Sequence, residues 1–133
     1  MKISRNRANG KRYEGELVKA IRNSGIYARL GRSNEEVDII LPDCNILIEC
    51  KSTSKKNFTL AHDRGTKDQF FRIRELPGIK FYAVRYKGDG LKGWRFYPIP
   101  GSIQVLPRDE GLTLDEFVIL VQKIIQRKEA MPA

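Results

Sequence analysis

The 133-residue chain carries 25 Lys and Arg against 16 Asp and Glu, a net charge of +9. With 41% hydrophobic and 31% charged residues it has the composition of a folded domain, which excludes a disordered chain. No apolar run reaches the roughly 18–20 residues of a membrane helix, and the length suits a single domain over 1–133.

The segment from Met1 to Lys11 has no apolar core of the kind a secretory signal needs, so a cytoplasmic protein without membrane attachment is expected. The first quarter is crowded with cations, including Arg5, Arg7, Lys11, Arg12, Arg29 and Arg32, against only Glu14 and Glu16. Such a cluster suits a polyanion, nucleic acid foremost, because every neutralised phosphate releases counterions. A basic surface for solubility, or a rim that meets an acidic protein, is the alternative.

Asn9 is placed to cap a helix running to about Ser24, with Gly25 as its stop. Leu17, Val18 and Ile21 give that helix one apolar stripe. Ile26–Leu30, Val37–Leu41 and Ile46–Lys51 read as strands, the last two joined by a turn over Pro42, Asp43, Cys44 and Asn45. Residues 52–62 are polar and aperiodic and read as a mobile loop. A helix is expected over about Asp63–Leu76, then strands Ile79–Tyr86 and Gly93–Ile99 about a Gly-Asp-Gly turn. Thr113 and Glu116 have the spacing of a capping box that opens a last apolar helix. The order predicts an α/β domain with a central mixed five-stranded sheet flanked by helices.

The hairpin carries the chemistry. A four-residue turn pairs Leu41 with Ile46, Ile40 with Leu47, Ile39 with Ile48 and Asp38 with Glu49. Alternation puts Lys51 on the face of Glu49. Two close carboxylates resist ionising together unless a cation joins them, and oxygen donors favour Mg2+ or Mn2+. Glu14 continues the stripe of Leu17, Val18 and Ile21 at helical spacing, so it faces the sheet and can approach the pair. Singly, each residue has a plainer role. Glu14 can complement the positive end of its helix, Lys51 can pair with an acid, and Asp38 can open a turn. Cys44 and Cys50 are too few and too close for a disulfide framework or zinc site and read as reduced.

Asp38 followed by Glu49-Cys50-Lys51 resembles the PD-(D/E)xK nuclease motif, with Val37 where the pattern has proline. The segment Gly10-Lys11-Arg12-Tyr13-Glu14-Gly15-Glu16-Leu17-Val18 resembles the first helix of archaeal-type Holliday junction resolvases. Glu49-Cys50-Lys51-Ser52-Thr53-Ser54 and Gly93-Trp94-Arg95-Phe96 resemble that family's central and late strands. Gly15 departs from it, standing where a basic residue is common.

The resemblance implies a restriction-endonuclease-like fold and a homodimer that nicks two opposing strands of branched, four-way DNA. It implies Mg2+, with Mn2+ as substitute, held by Asp38, Glu49 and the carbonyl of Cys50, with Glu14 joining directly or through water. Lys51 would orient the attacking water, and Ser33 in the loop 31–36 is a further catalytic candidate. Glu35 and Glu36 read as solvated loop acids. Ser52, Thr53, Ser54, Lys55 and Lys56 would meet DNA near the cut strand. His62 reads as a structural or phosphate-contacting residue. Another PD-(D/E)xK endonuclease of restriction or repair type, or a non-catalytic DNA-binding protein, remain the alternatives.

Overall fold

In the computed structural model, Ile39–Leu41 (β2) and Ile46–Thr53 (β3) pair antiparallel with the expected register: Leu41 opposite Ile46, Ile40 opposite Leu47, and Ile39 opposite Ile48. The structure describes residues 2–60, 64–99 and 105–130, and side chains over 10–60, 65–99 and 105–130. His62 and the side chains of Arg5 and Arg7 lie outside the described residues. The hairpin turn is a single 3-10 turn over Pro42–Cys44, closed by Asn45 at φ 53, a left-handed conformation that Asn tolerates.

A mixed five-stranded sheet grows outward from this hairpin. Arg29–Leu30 (β1) pairs with β2. On the other side Ile79–Tyr86 (β5) runs parallel to β3, and Trp94–Pro98 (β6) runs antiparallel to β5, giving the order β1-β2-β3-β5-β6. Parallel neighbours need a crossover, and the helix Arg64–Arg74 (α2) lies within it.

Strand alternation sorts the side chains. Ile46, Ile48, Phe81, Ala83, Trp94 and Phe96 bury against Lys2–Asn23 (α1) and Leu114–Ala130 (α3). Tyr82, Val84, Tyr86 and Tyr97 bury on the opposite face with Phe70 of α2. Phe117 lies at the centre of the first layer, stacked on Phe96 at 4.0 Å between ring centres and edge-on to Phe81 at 5.1 Å. The capping box forms as expected. The Thr113 amide donates to Glu116 Oε1 at 2.9 Å, and the Glu116 amide to Thr113 Oγ1 at 3.2 Å.

Three local expectations change. The first helix starts at Lys2, so Asn9 lies inside it. A capping residue begins a helix only where the chain before it turns away, and Lys2–Ala8 has no Gly or Pro to make it turn. Of Ile26–Leu30 only Arg29–Leu30 joins the ladder, although Ile26 and Ala28 are buried. The polar segment after Lys51 is not simply a loop. β3 continues to Thr53, and Asn57–Thr59 (β4) pairs with Val105–Pro107 (β7) in a second, two-stranded sheet. Phe58 and Leu60 anchor that piece in the Tyr82 layer. Its pairing partner lies far along the chain, which local pattern does not reveal.

Phe117→Ala should lower folding stability by about 3–5 kcal/mol, because it opens a cavity among aromatic rings. Urea unfolding should show a lower midpoint at unchanged slope.

Candidate active site

The regular β2–β3 ladder stops at Ile39. The Asp38 amide donates to the Ile48 carbonyl at 3.1 Å, one residue short of Glu49, while its own carbonyl accepts from the Gly31 amide at 2.7 Å. Gly31 is required there, since a Cβ would lie 2.0 Å from the Val37 carbonyl oxygen. Asp38 thus sits opposite Glu49 only approximately, and its carboxylate crosses to β3, where Oδ2 accepts from the Cys50 amide at 2.8 Å.

This crossing places Asp38 between two acids on opposite sides of the sheet. Cys50 alternates with Ile48 toward the α1 layer. Leu17, Val18 and Ile21 are buried there as the helical stripe requires, and they carry Glu14 inward. Glu14, Asp38 and Cys50 each offer a donor atom, and the three lie within 4.8 Å of one another. Glu49 alternates to the other layer, in register with the buried Tyr82. It is itself 3% exposed.

Burial dominates the electrostatics. The Glu14 carboxyl is pushed up to about 7, first by burial and then by the Asp38 charge, with Lys11 working the other way. Glu49 is held far above the ordinary carboxylate range by burial and by the bond and charge of Asp38. The Lys51 ammonium, 3.7 Å from Glu49 Oε2, opposes that rise without cancelling it. Burial also raises the Cys50 thiol and the Tyr82 phenol. Glu49 Oε1 and the Tyr82 hydroxyl are buried without a hydrogen-bond partner.

Clustered carboxylates, one with an unpartnered oxygen, are a donor set that suits a hard divalent cation. The residues fit Mg2+ or Mn2+. The Cys50 thiol, beside Glu14 and Asp38, adds a softer donor to the carbonyl expected from the sequence.

Two residues join the site that the sequence did not single out. Gln69 of α2 accepts from Lys51 Nζ at 2.5 Å and fixes the ammonium. The signal was present: Thr66, Gln69, Phe70 and Ile73 form one helical stripe, so Gln69 occupies an inward position. Tyr82 has no such signal, because a tyrosine in an apolar strand reads as core.

The outer candidates separate. Ser33 is exposed in its turn. Arg29 grips Glu35 with both terminal nitrogens at 2.8 and 3.0 Å, so Glu35 staples its loop, and Glu36 faces Arg72 at 3.4 Å. Arg12 donates to the Tyr13 hydroxyl at 2.9 Å, while Arg85 lies 3.4 Å from the centre of the Tyr13 ring. Lys11, Arg32, Ser52, Ser54, Lys55 and Lys56 are exposed. Thr53 is half-buried, and its Oγ1 accepts from the Lys55 amide at 3.1 Å.

No family model matches the chain, and a search of curated proteins finds no match. Among solved structures it is similar to that of Archaeoglobus fulgidus Hjc, a Holliday junction resolvase from an archaeal hyperthermophile. The TM-score is 0.62 at 18% identity, over 83% of this chain and 95% of that one. At that identity the likeness is one of fold. It agrees with the α/β fold and the resolvase resemblance drawn from the sequence motifs.

Two outcomes follow from the acids. Because burial shifts Glu49 upward, the wild type loses stability as pH rises above about 4.5 toward its folded-state value. Metal-free Glu49→Gln, which stays neutral, should therefore melt higher than wild type in mildly alkaline buffer, with the gap closing in acid. Binding of Mg2+ or Mn2+ should release protons and tighten as pH rises through about 7, the value for Glu14. Calorimetry in buffers of different ionisation enthalpy counts those protons, and a count of zero near neutral pH would contradict the assignment.

Proposed function

We propose that the chain is a metal-dependent DNA endonuclease that resolves four-way junctions by paired nicks. The observation that carries this reading is the convergence of Glu14, Asp38 and Cys50 within 4.8 Å, with Glu49 and Lys51 flanking Cys50 on β3. The fold likeness to a Holliday junction resolvase supports the substrate, and the net charge of +9 supports a polyanion.

Asp38, Glu49 and the Cys50 carbonyl would hold the ion, with Glu14 completing the set directly or through water. When bound, Mg2+ or Mn2+ supplies charge stabilisation at the phosphate and makes water a better nucleophile. The protein's own groups do the rest. Gln69 takes one of the three N–H donors of Lys51, leaving others to hold the attacking water on line with phosphorus. The half-buried Glu14 carboxylate lies beside Asp38, where it can orient a water next to the ion. Attack with loss of the 3′-oxygen leaves a 5′-phosphate and a 3′-hydroxyl.

Two symmetric nicks need two sites, which a two-fold homodimer provides. The outer side of α3 supports such a contact: Ile119 is 51% exposed, and Leu120, Ile124 and Ala130, with Lys123, Gln126 and Arg127 among them, line a depression of about 420 Å3.

Labelled four-way junction, duplex and flap DNA incubated with Mg2+ should show symmetric nicking of the junction alone. Asp38→Asn should abolish it, and Lys51→Ala should slow it by about 10²–10⁴-fold. Gln69→Ala should cost less than Lys51→Ala. Cleavage that survives Asp38→Asn would reject the site, and no metal-dependent cutting of any substrate would reject the enzyme.

A further inference from the structure

Past Lys51 the surface continues into two depressions that extend beyond the groups the proposed reaction uses. A depression of about 310 Å3 starts at Lys51 and runs by Thr53 to Lys55 and Asn57. A second, of about 510 Å3, begins at Lys55 and Asn57 and ends between Lys87 and Arg108. Lys55 and Asn57 line both, so the two depressions adjoin.

The second depression is strongly basic. Lys55, Lys56, Lys87 and Arg108 line it against one carboxylate, Asp109. Arg108 pairs with Asp89 and lies 5.6 Å from the centre of the Tyr86 ring.

Solvated lysines on a loose loop would mean little, but here the backbone under them is fixed. The Lys87 amide donates to the Thr53 carbonyl at 3.0 Å, and the Arg108 amide to the Lys56 carbonyl at 3.3 Å. The β4–β7 ladder continues from the second tie, held by the Tyr86 hydroxyl on the Leu106 carbonyl and the Tyr97 hydroxyl on the Pro107 carbonyl. Four cations from three separate chain segments are thus gathered about one depression, which adjoins the depression at Lys51. The aromatic rings are withdrawn, Tyr86 being 2% exposed and Phe58 half-buried. The groove offers charge without a stacking platform for bases.

We infer that this groove is a phosphodiester track, which takes the backbone of the cut DNA strand on one side of the scissile phosphate. Lys55 meets the nearer phosphates, and Lys56, Lys87 and Arg108 the farther ones. Contacts are to backbone, so the track holds the strand in register without reading its sequence. This rests on the endonuclease reading for its direction and extends the DNA contact to Lys87 and Arg108, residues remote in sequence from the motif.

The test uses the full chain carrying Asp38→Asn, so that binding is measured without cleavage. Its affinity for a fluorescent four-way junction is followed over a salt series, with and without Lys56→Gln and Lys87→Gln together. Both side chains are exposed, and an unchanged melting temperature confirms the fold. The double variant should bind at least about tenfold more weakly, and its salt slope should fall by roughly 0.7–0.9 for each phosphate that is no longer neutralised. Single methylphosphonate linkages walked along the cut strand should weaken the parent on one side of the cut only. They should leave the double variant indifferent at those same positions. Equal affinity and slope for parent and double variant overturn the track, as does an equal loss on both sides of the cut. An acidic protein as the true ligand would give that first result. If wild type cuts junctions while the double variant binds like its parent, the track falls and the endonuclease stands. If the double variant binds at least about tenfold more weakly with a smaller salt slope but wild type cuts no DNA, backbone binding by the groove stands and the endonuclease falls.

Discussion

Everything at the candidate site depends on one side chain leaving its own strand. Asp38 loses its regular partner at the end of the β2–β3 ladder, and its carboxylate reaches over to the Cys50 amide. A regular continuation would commit it to one face of the sheet. The slip instead leaves it at the strand end, where Glu14 approaches with one layer and Glu49 belongs to the other. Gly31 secures this from the opposite side, because any larger residue would drive its loop away from Val37.

The arrangement is poor as pure architecture. A buried glutamate with an unpartnered oxygen, next to a second acid, is the kind of group that folding ordinarily avoids. The ammonium of Lys51 is near enough to soften the conflict and too far to remove it. Buried acids gathered in an otherwise well-paired sheet form a donor set that suits a divalent cation. The apolar layers above and below supply the stability that the acids withhold.

The positive charge is divided between structure and surface. Arg29 is spent on Glu35, and Arg12 and Arg85 on the Tyr13 ring beside Glu14. Those groups fix the loop and helix that border the acids. Lys55, Lys56 and Lys87 are exposed and left for a ligand. The small β4–β7 sheet decides where they point, by holding the chain after Lys51 against Arg108.

Local pattern was enough to specify the hairpin register, the inward stripe of Glu14, Leu17, Val18 and Ile21, and the capping box at Thr113. Each follows from periodicity or turn length, which act over a few residues. With those came the α/β order, whereas the slip of Asp38 out of register with Glu49, which sets Glu14 and Glu49 on opposite sides of the sheet, did not. Other features emerged only in the folded chain. They are the early helix start at Lys2, the strand pairing of Asn57–Thr59 with Val105–Pro107, the grip of Gln69 on Lys51, and the gathering of Lys55, Lys56, Lys87 and Arg108 about one depression. Apart from the helix start, these join segments far apart in the chain. Their partners are chosen by packing of whole layers, which leaves no local periodicity to read.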